Sequence, residues 1–322
     1  MKRNLTGAVL GLLALFCCAV PAYPWGWAAH TYVIDQTGTK SPSANLQEVY
    51  GGMAVDCFNY LTLADPNLAP VQNILFHEAH YQPLSLWENA APALKPLAYG
   101  FVSHNEAWGE DRTAHVQNLT IGGNEGYVII KARELAGELS AALQGAVGAD
   151  DLLVVSHELI EYGIDLLVRK ELNPAIGLEM ANAAMQRDSA FPALLSSTFG
   201  PALSPLGFSP EQAAGLIIGA EAQFRQTMVW YGLILATPDD AQMMNLLVQF
   251  LLPQAQAYFL ANGIILPSEV DLGQVIQFAI TKSIQLCEGD YLMELKRTKS
   301  HTVSQLAVNG VLYRGMFTTN RK

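Results

Sequence analysis

The chain has 322 residues, 51% hydrophobic and 15% charged, with a formal net charge of −11. That length admits one large or two modest domains, and the acidic balance makes the chain a poor general binder of phosphate backbones while leaving cation binding open. Four cysteines, two of them side by side at Cys17 and Cys18, exclude a disulfide scaffold.

Residues 1–22 read as an export signal, with Lys2 and Arg3, the apolar run Leu5–Val20, and then Val20-Pro21-Ala22 before a cut. The run is shorter than the roughly 20 residues that span a bilayer. A cleaved leader and a secreted or periplasmic mature protein are therefore expected. Cleavage removes Lys2 and Arg3 and no acid, which takes −11 to −13. The mature chain keeps Cys57 and Cys287, which either pair in an oxidising compartment or stand as separate buried thiols.

Directly after the leader comes "WGWAAH", residues 25–30, crowding Trp25, Trp27 and His30. Apolar residues then recur at helical spacing through most of the chain, and strand-like alternation is scarce. Helices are predicted over 127–147 and 149–172, the second opened by Asp150 and Asp151 at its positive end. Others follow near 174–188, 209–236, 238–262 and 269–298, punctuated by Pro, Gly and Asn. Pro192, Pro201 and Pro205 mark the candidate boundary between a region 23–190 and a helical C-terminal region 191–322 on the same domain. Near the end, "SQLAVNGVLYRGMF" places Asn309-Gly310 between two short apolar runs, which predicts a short terminal hairpin. The expected fold class is all-α.

Six of the seven histidines lie between His30 and His157; only His301 follows. Histidine is the commonest metal-binding side chain, and its neutral imidazole suits zinc beside carboxylates. In "SHELIEYGID" His157 and Glu161 are four apart, so a helix puts both on one face about a turn apart, with Asp165 one turn further on. "YGFVSHNEAWGEDRTAH" supplies His104, Glu106, Glu110, Asp111 and His115, and "FHEAH" supplies His77 and His80. Asp56 sits in the otherwise apolar "GGMAVDCFNYL", where a buried carboxylate needs a cation, a cap or a hydrogen bond.

Together these pieces resemble the zinc-dependent phospholipase C family and its relatives, the single-strand-specific zinc nucleases. Members hold up to three zinc ions in a helical fold, with ligands in the order Trp, His, Asp, His, His, Asp, His, His, then Glu or Asp. This chain offers Trp25, His30, Asp56, His77 or His80, His104, Asp111, His115, His157 and Glu161 in that order. "WGWAAH" looks like the nuclease branch; the His157–Glu161 pair looks like the phospholipase branch. The family's central histidine–aspartate spacing is shorter than His104 to Asp111, which leaves Glu106 and Glu110 as rivals.

The resemblance spans residues 25 to about 165. It implies one Zn2+ at Asp56, His77 or His80, His104 and Asp111, a second at His115, His157 and Glu161, and a third at Trp25, His30 and Asp111. It further implies a phosphodiester hydrolase acting on a phospholipid or other phosphodiester, with Asp56 orienting or deprotonating the attacking water. Transient contact with a membrane surface fits that reading, and no stable nucleic-acid partner is expected. The alternatives are an exported zinc nuclease or 3′-nucleotidase and a non-catalytic zinc-binding protein.

Overall fold

The structure is a computed structural model and describes residues 25–39 and 41–312. Among the described residues it is all-α: fourteen α-helices joined by short turns, with no strand. The predicted leader, 1–22, lies outside the described residues. No described helix is long and apolar enough to cross a membrane.

In chain order the helices are α1 (Trp27–Thr37), α2 (Pro42–Met53), α3 (Tyr60–Ala64), α4 (Ala69–Tyr81), α5 (Leu84–Asn89), α6 (Lys95–His104) and α7 (Tyr127–Ala142). There follow α8 (Ala149–Leu167), α9 (Ile176–Gln186), α10 (Phe191–Phe199), α11 (Pro210–Leu235), α12 (Asp240–Ala261), α13 (Leu272–Cys287) and α14 (Tyr291–Val308). A tight turn, Ala54–Asn59, joins α2 to α3, and a loop with one wide turn at Arg112–Val116 joins α6 to α7. Local chemistry sets several starts. Ser209 and Gln212 cap α11 reciprocally ahead of Pro210, while Asp239 and Asp271 accept from backbone N–H groups at the heads of α12 and α13.

Two expectations change. The stretch 269–298 is not one helix, because it breaks after Cys287 and restarts at Tyr291. The terminal hairpin is not formed, since its first arm is the last turn of α14. There Gly310, at φ +70°, takes the left-handed position, and Val311 N–H bonds Leu306 O while Gly310 N–H bonds Ala307 O. An Asn-Gly pair satisfies a helix end this way as readily as it turns a hairpin; the proposed second arm falls largely outside the described residues.

A continuous apolar core runs from Trp25 to Leu295. Trp27 shows how the C-terminal helices complete it, packing edge-on against Tyr162 of α8 and against Phe224 and Tyr231 of α11. Such aromatic pairs add roughly 0.5–1.5 kcal/mol each beyond area burial. Cys57 and Cys287 are both buried and unpaired, so the separate-thiol arrangement holds.

Candidate metal centre

Six elements deliver the donors. His30 comes from α1, Asp56 from the 54–59 turn, His80 from the end of α4, and His104 from the last position of α6. Asp111 and His115 come from the α6–α7 loop, and His157 and Glu161 from α8. The negative ends of α4 and α6 favour positive charge where His80 and His104 sit.

Backbone packing fixes the ring at His104. In α6, Gly100 lies so close to α2 that a Cβ there would sit 1.8 Å from Glu48 O. That approach lets His104 Nδ1–H donate to Gly52 O at 2.7 Å. Three further rings are tied in the same manner: His30 Nδ1 to Glu110 Oε2 at 2.7 Å, His80 Nδ1 to Phe76 O at 3.0 Å, and His115 Nδ1 to Glu106 Oε1 at 3.0 Å. A proton on Nδ1 leaves Nε2 as a lone-pair donor, and a partner behind the ring is what metal-binding histidines require.

The Nε2 atoms converge on carboxylate oxygens. His30 Nε2 is 3.3 Å from Asp111 Oδ1, and His104 Nε2 is 2.7 Å from Asp111 Oδ2. His80 Nε2 lies 3.6 Å from Asp56 Oδ1 and 3.7 Å from Asp111 Oδ2; His104 Nε2 lies 3.8 Å from Asp56 Oδ1. On the other side His115 Nε2 and His157 Nε2 face each other at 2.8 Å, and Glu161 Oε1 is 2.8 Å from His157 Nε2. Three groups able to hold a metal ion result: His30–His104–Asp111, Asp56–His80–His104, and His115–His157–Glu161.

The donor atoms themselves point to an ion. His30 Nε2, His80 Nε2, His104 Nε2, both Asp111 oxygens and Glu161 Oε1 are buried without a hydrogen-bond partner. Stranding so many polar atoms would cost several kcal/mol in total unless a cation met them. Electrostatics agree. Burial, then the charges of Glu158, Asp56 and other acids, pushes Glu161 well above the carboxylate range; burial likewise raises Asp111 despite the facing His30 ring. Burial and neighbouring imidazoles hold His104 and His157 well below the usual histidine value, which keeps them neutral. His30 differs: burial opposes a charge on it, yet the Asp111 and Glu110 carboxylates lift it to about 10, so the metal-free ring keeps both protons and an ion must displace the one on Nε2. Among the described residues, the ion pairs of Asp56, Asp111 and Glu161 are all with histidine.

His77 stays outside. It shares α4 with His80, but three residues along a helix is 60° short of a full turn. His80 is fully buried, while the His77 side chain is 62% exposed and stacks on Tyr81. Trp25 is buried and stacked on Tyr127, with its indole N–H shared between Glu110 O and Thr113 Oγ1. The predicted cut after Ala22 leaves Tyr23 and Pro24 ahead of Trp25, and both lie outside the described residues. Asp165, on the same face as Glu161, instead caps α1, accepting from Ala29 N–H at 2.9 Å and Tyr231 O–H at 2.8 Å.

Glu106 and Glu110, expected as rival donors, stand behind the rings instead, a role that no motif signals. Glu106 also accepts from the Tyr81 phenol, and although burial opposes ionisation, His115 and Tyr81 pull its carboxyl down to about 2. The Gly52 carbonyl carries no sequence signal at all. His104 belongs to two of the groups but has a single free nitrogen. With His104 committed to Asp56 and His80, the His30–His104–Asp111 group keeps only His30 and one Asp111 oxygen as side-chain donors.

Comparison with protein-family models, curated proteins and solved structures finds no match to this chain.

Proposed function

We propose that the protein is a zinc-dependent phosphodiester hydrolase of the phospholipase C type, exported after removal of residues 1–22. The observation that carries the reading is the convergence of buried, partnerless imidazole Nε2 and carboxylate oxygen atoms in the ligand order of that family. Asp56, His80, His104 and Asp111 would hold one Zn2+, and His115, His157 and Glu161 a second. A third would rest on His30 and Asp111, with its remaining donors from elsewhere. When bound, zinc supplies Lewis acidity toward the diester oxygens and toward the attacking water.

The chain's own residues then divide the work. Trp27 Nε1–H holds Asp56 Oδ2 at 3.3 Å, which leaves Oδ1 facing His80 and His104 and able to take the proton of the attacking water. Glu110 and Glu106 keep His30 and His115 in the tautomer that offers Nε2. Among the donors His115 is the most exposed and the others are buried, so the diester approaches from the side of His115, Glu106 and Tyr81.

One observation favours a second reading, an exported zinc nuclease or 3′-nucleotidase. His77 and Tyr81 form an exposed stacked pair beside Glu106, a surface on which a base can stack. Paired assays on phosphatidylcholine vesicles and on a single-stranded oligonucleotide, with and without chelator, separate the two. Chelator-sensitive release of phosphocholine is expected, with loss of all turnover in His157→Ala. Activity on the oligonucleotide alone selects the nuclease, and zinc binding without hydrolysis of either selects a non-catalytic role.

A further inference from the structure

The α6–α7 loop supplies Asp111 and His115 as donors and Glu106 and Glu110 as ring partners, yet apart from one wide turn it has no regular helix of its own. Something must hold it. Three side chains on one face of the C-terminal helix α14 do so, at Glu294, Thr298 and His301, spaced i, i+4 and i+7. His301 Nε2–H donates to Trp108 O at 3.0 Å. Thr298 Oγ1 is 2.7 Å from Thr113 Oγ1, whose hydroxyl also meets Glu110 O at 2.8 Å and the Trp25 indole at 3.0 Å. Glu294 Oε1 accepts from Leu119 N–H at 2.7 Å, and its other oxygen accepts from the Thr120 hydroxyl.

These tethers bracket the donors. Trp108 precedes Asp111, Thr113 lies between Asp111 and His115, and Leu119 and Thr120 follow His115. Glu294 and Thr298 are fully buried, so their bonds are sheltered from water and stronger for it. We infer that α14, far outside the stretch that resembles the zinc enzymes, is a positioning element of the metal centre. Glu294, Thr298 and His301 set the loop so that Asp111 and His115 reach their groups. The inference rests on the metal-binding reading proposed above. It also explains His301, the histidine apart from the cluster, which holds backbone rather than metal.

The test uses the full chain with zinc titrated against a competing chelator, alongside hydrogen exchange of the 106–120 amides in metal-free protein. Thr298→Val and Glu294→Gln are expected to weaken zinc binding by about tenfold or more, the scale of losing an outer partner of a metal ligand. Exchange in the loop should quicken, and Thr298→Ser should restore both readouts. Glu221→Gln is the control, because Glu221 is a buried carboxylate tied to Tyr50 and Arg187 rather than to the loop. It should lower stability and leave zinc affinity unchanged. Zinc affinity within twofold of the parent in both α14 variants overturns the inference, as does an equal loss in Glu221→Gln. A parent chain that takes up no zinc overturns the metal reading itself, and this inference with it.

Discussion

Single residues at the head of α1 decide where His30 stands. Asp165 reaches from α8 to cap that helix, and Gly26 leaves room for it, since a Cβ there would lie 2.3 Å from Asp165 Oδ1. Gly26→Ala is expected to cost about 1–3 kcal/mol of stability, as overpacked sites do, and to loosen His30; thermal unfolding checks it. Burial raises the Asp165 carboxyl to about 6, although the Ala28 and Ala29 amides, Tyr231 and His30 oppose the rise. With a folded pKa above the unfolded value of about 3.9, the native state holds this proton more tightly. Its contribution is therefore fully present below about pH 4 and is lost as pH climbs through about 6. Asp165→Asn, neutral at every pH, should gain about 3 kcal/mol on the parent between pH 4 and 7 in metal-free unfolding curves. Parallel curves for the two proteins would contradict this. The His157–Glu161 pair was legible at this scale because i, i+4 on one helix is local geometry. Glu110 and Asp111 were not separable, because adjacent residues in an irregular loop point where tertiary contacts send them.

Elements carry the next layer. The α2–α6 crossing puts Gly52 O under His104, and it exists because Gly100 has no side chain. Gly100→Ala would set a methyl 1.8 Å from Glu48 O, so the helices must part. A loss of about 1–3 kcal/mol is expected, with weakened zinc binding at Asp56–His80–His104, read by chelator competition. Unchanged zinc affinity would show that the crossing does not position the ring. The long periodic helices from 127 to 261 were legible because burial on one face leaves a 3.6-residue pattern in the sequence. Gly100 was not, since a glycine inside a helix reads as a weak point unless the neighbouring helix is known. Nor was the break at 288–290 or the helical end at Asn309-Gly310, where one local signal serves two structures.

At the scale of the molecule, the acidic charge and the core tell one story. Part of the −11 sits in Asp56, Glu110, Asp111 and Glu161, all buried around the imidazoles. The C-terminal helices, whose role the sequence left open, enclose this centre through Trp27's neighbours and through α14. A ligand that binds only the folded chain stabilises it by mass action. Saturating zinc should therefore raise the midpoint of thermal unfolding by about 10 °C, and chelation should reverse the gain.

Everything proposed for this protein depends on these donors holding zinc, and metal analysis of the purified full chain decides that point. Two tightly held zinc ions per chain are expected, with a third, weaker one lost first to dilute chelator. Fewer than one zinc per chain, after growth and purification with zinc supplied, would contradict the metal reading.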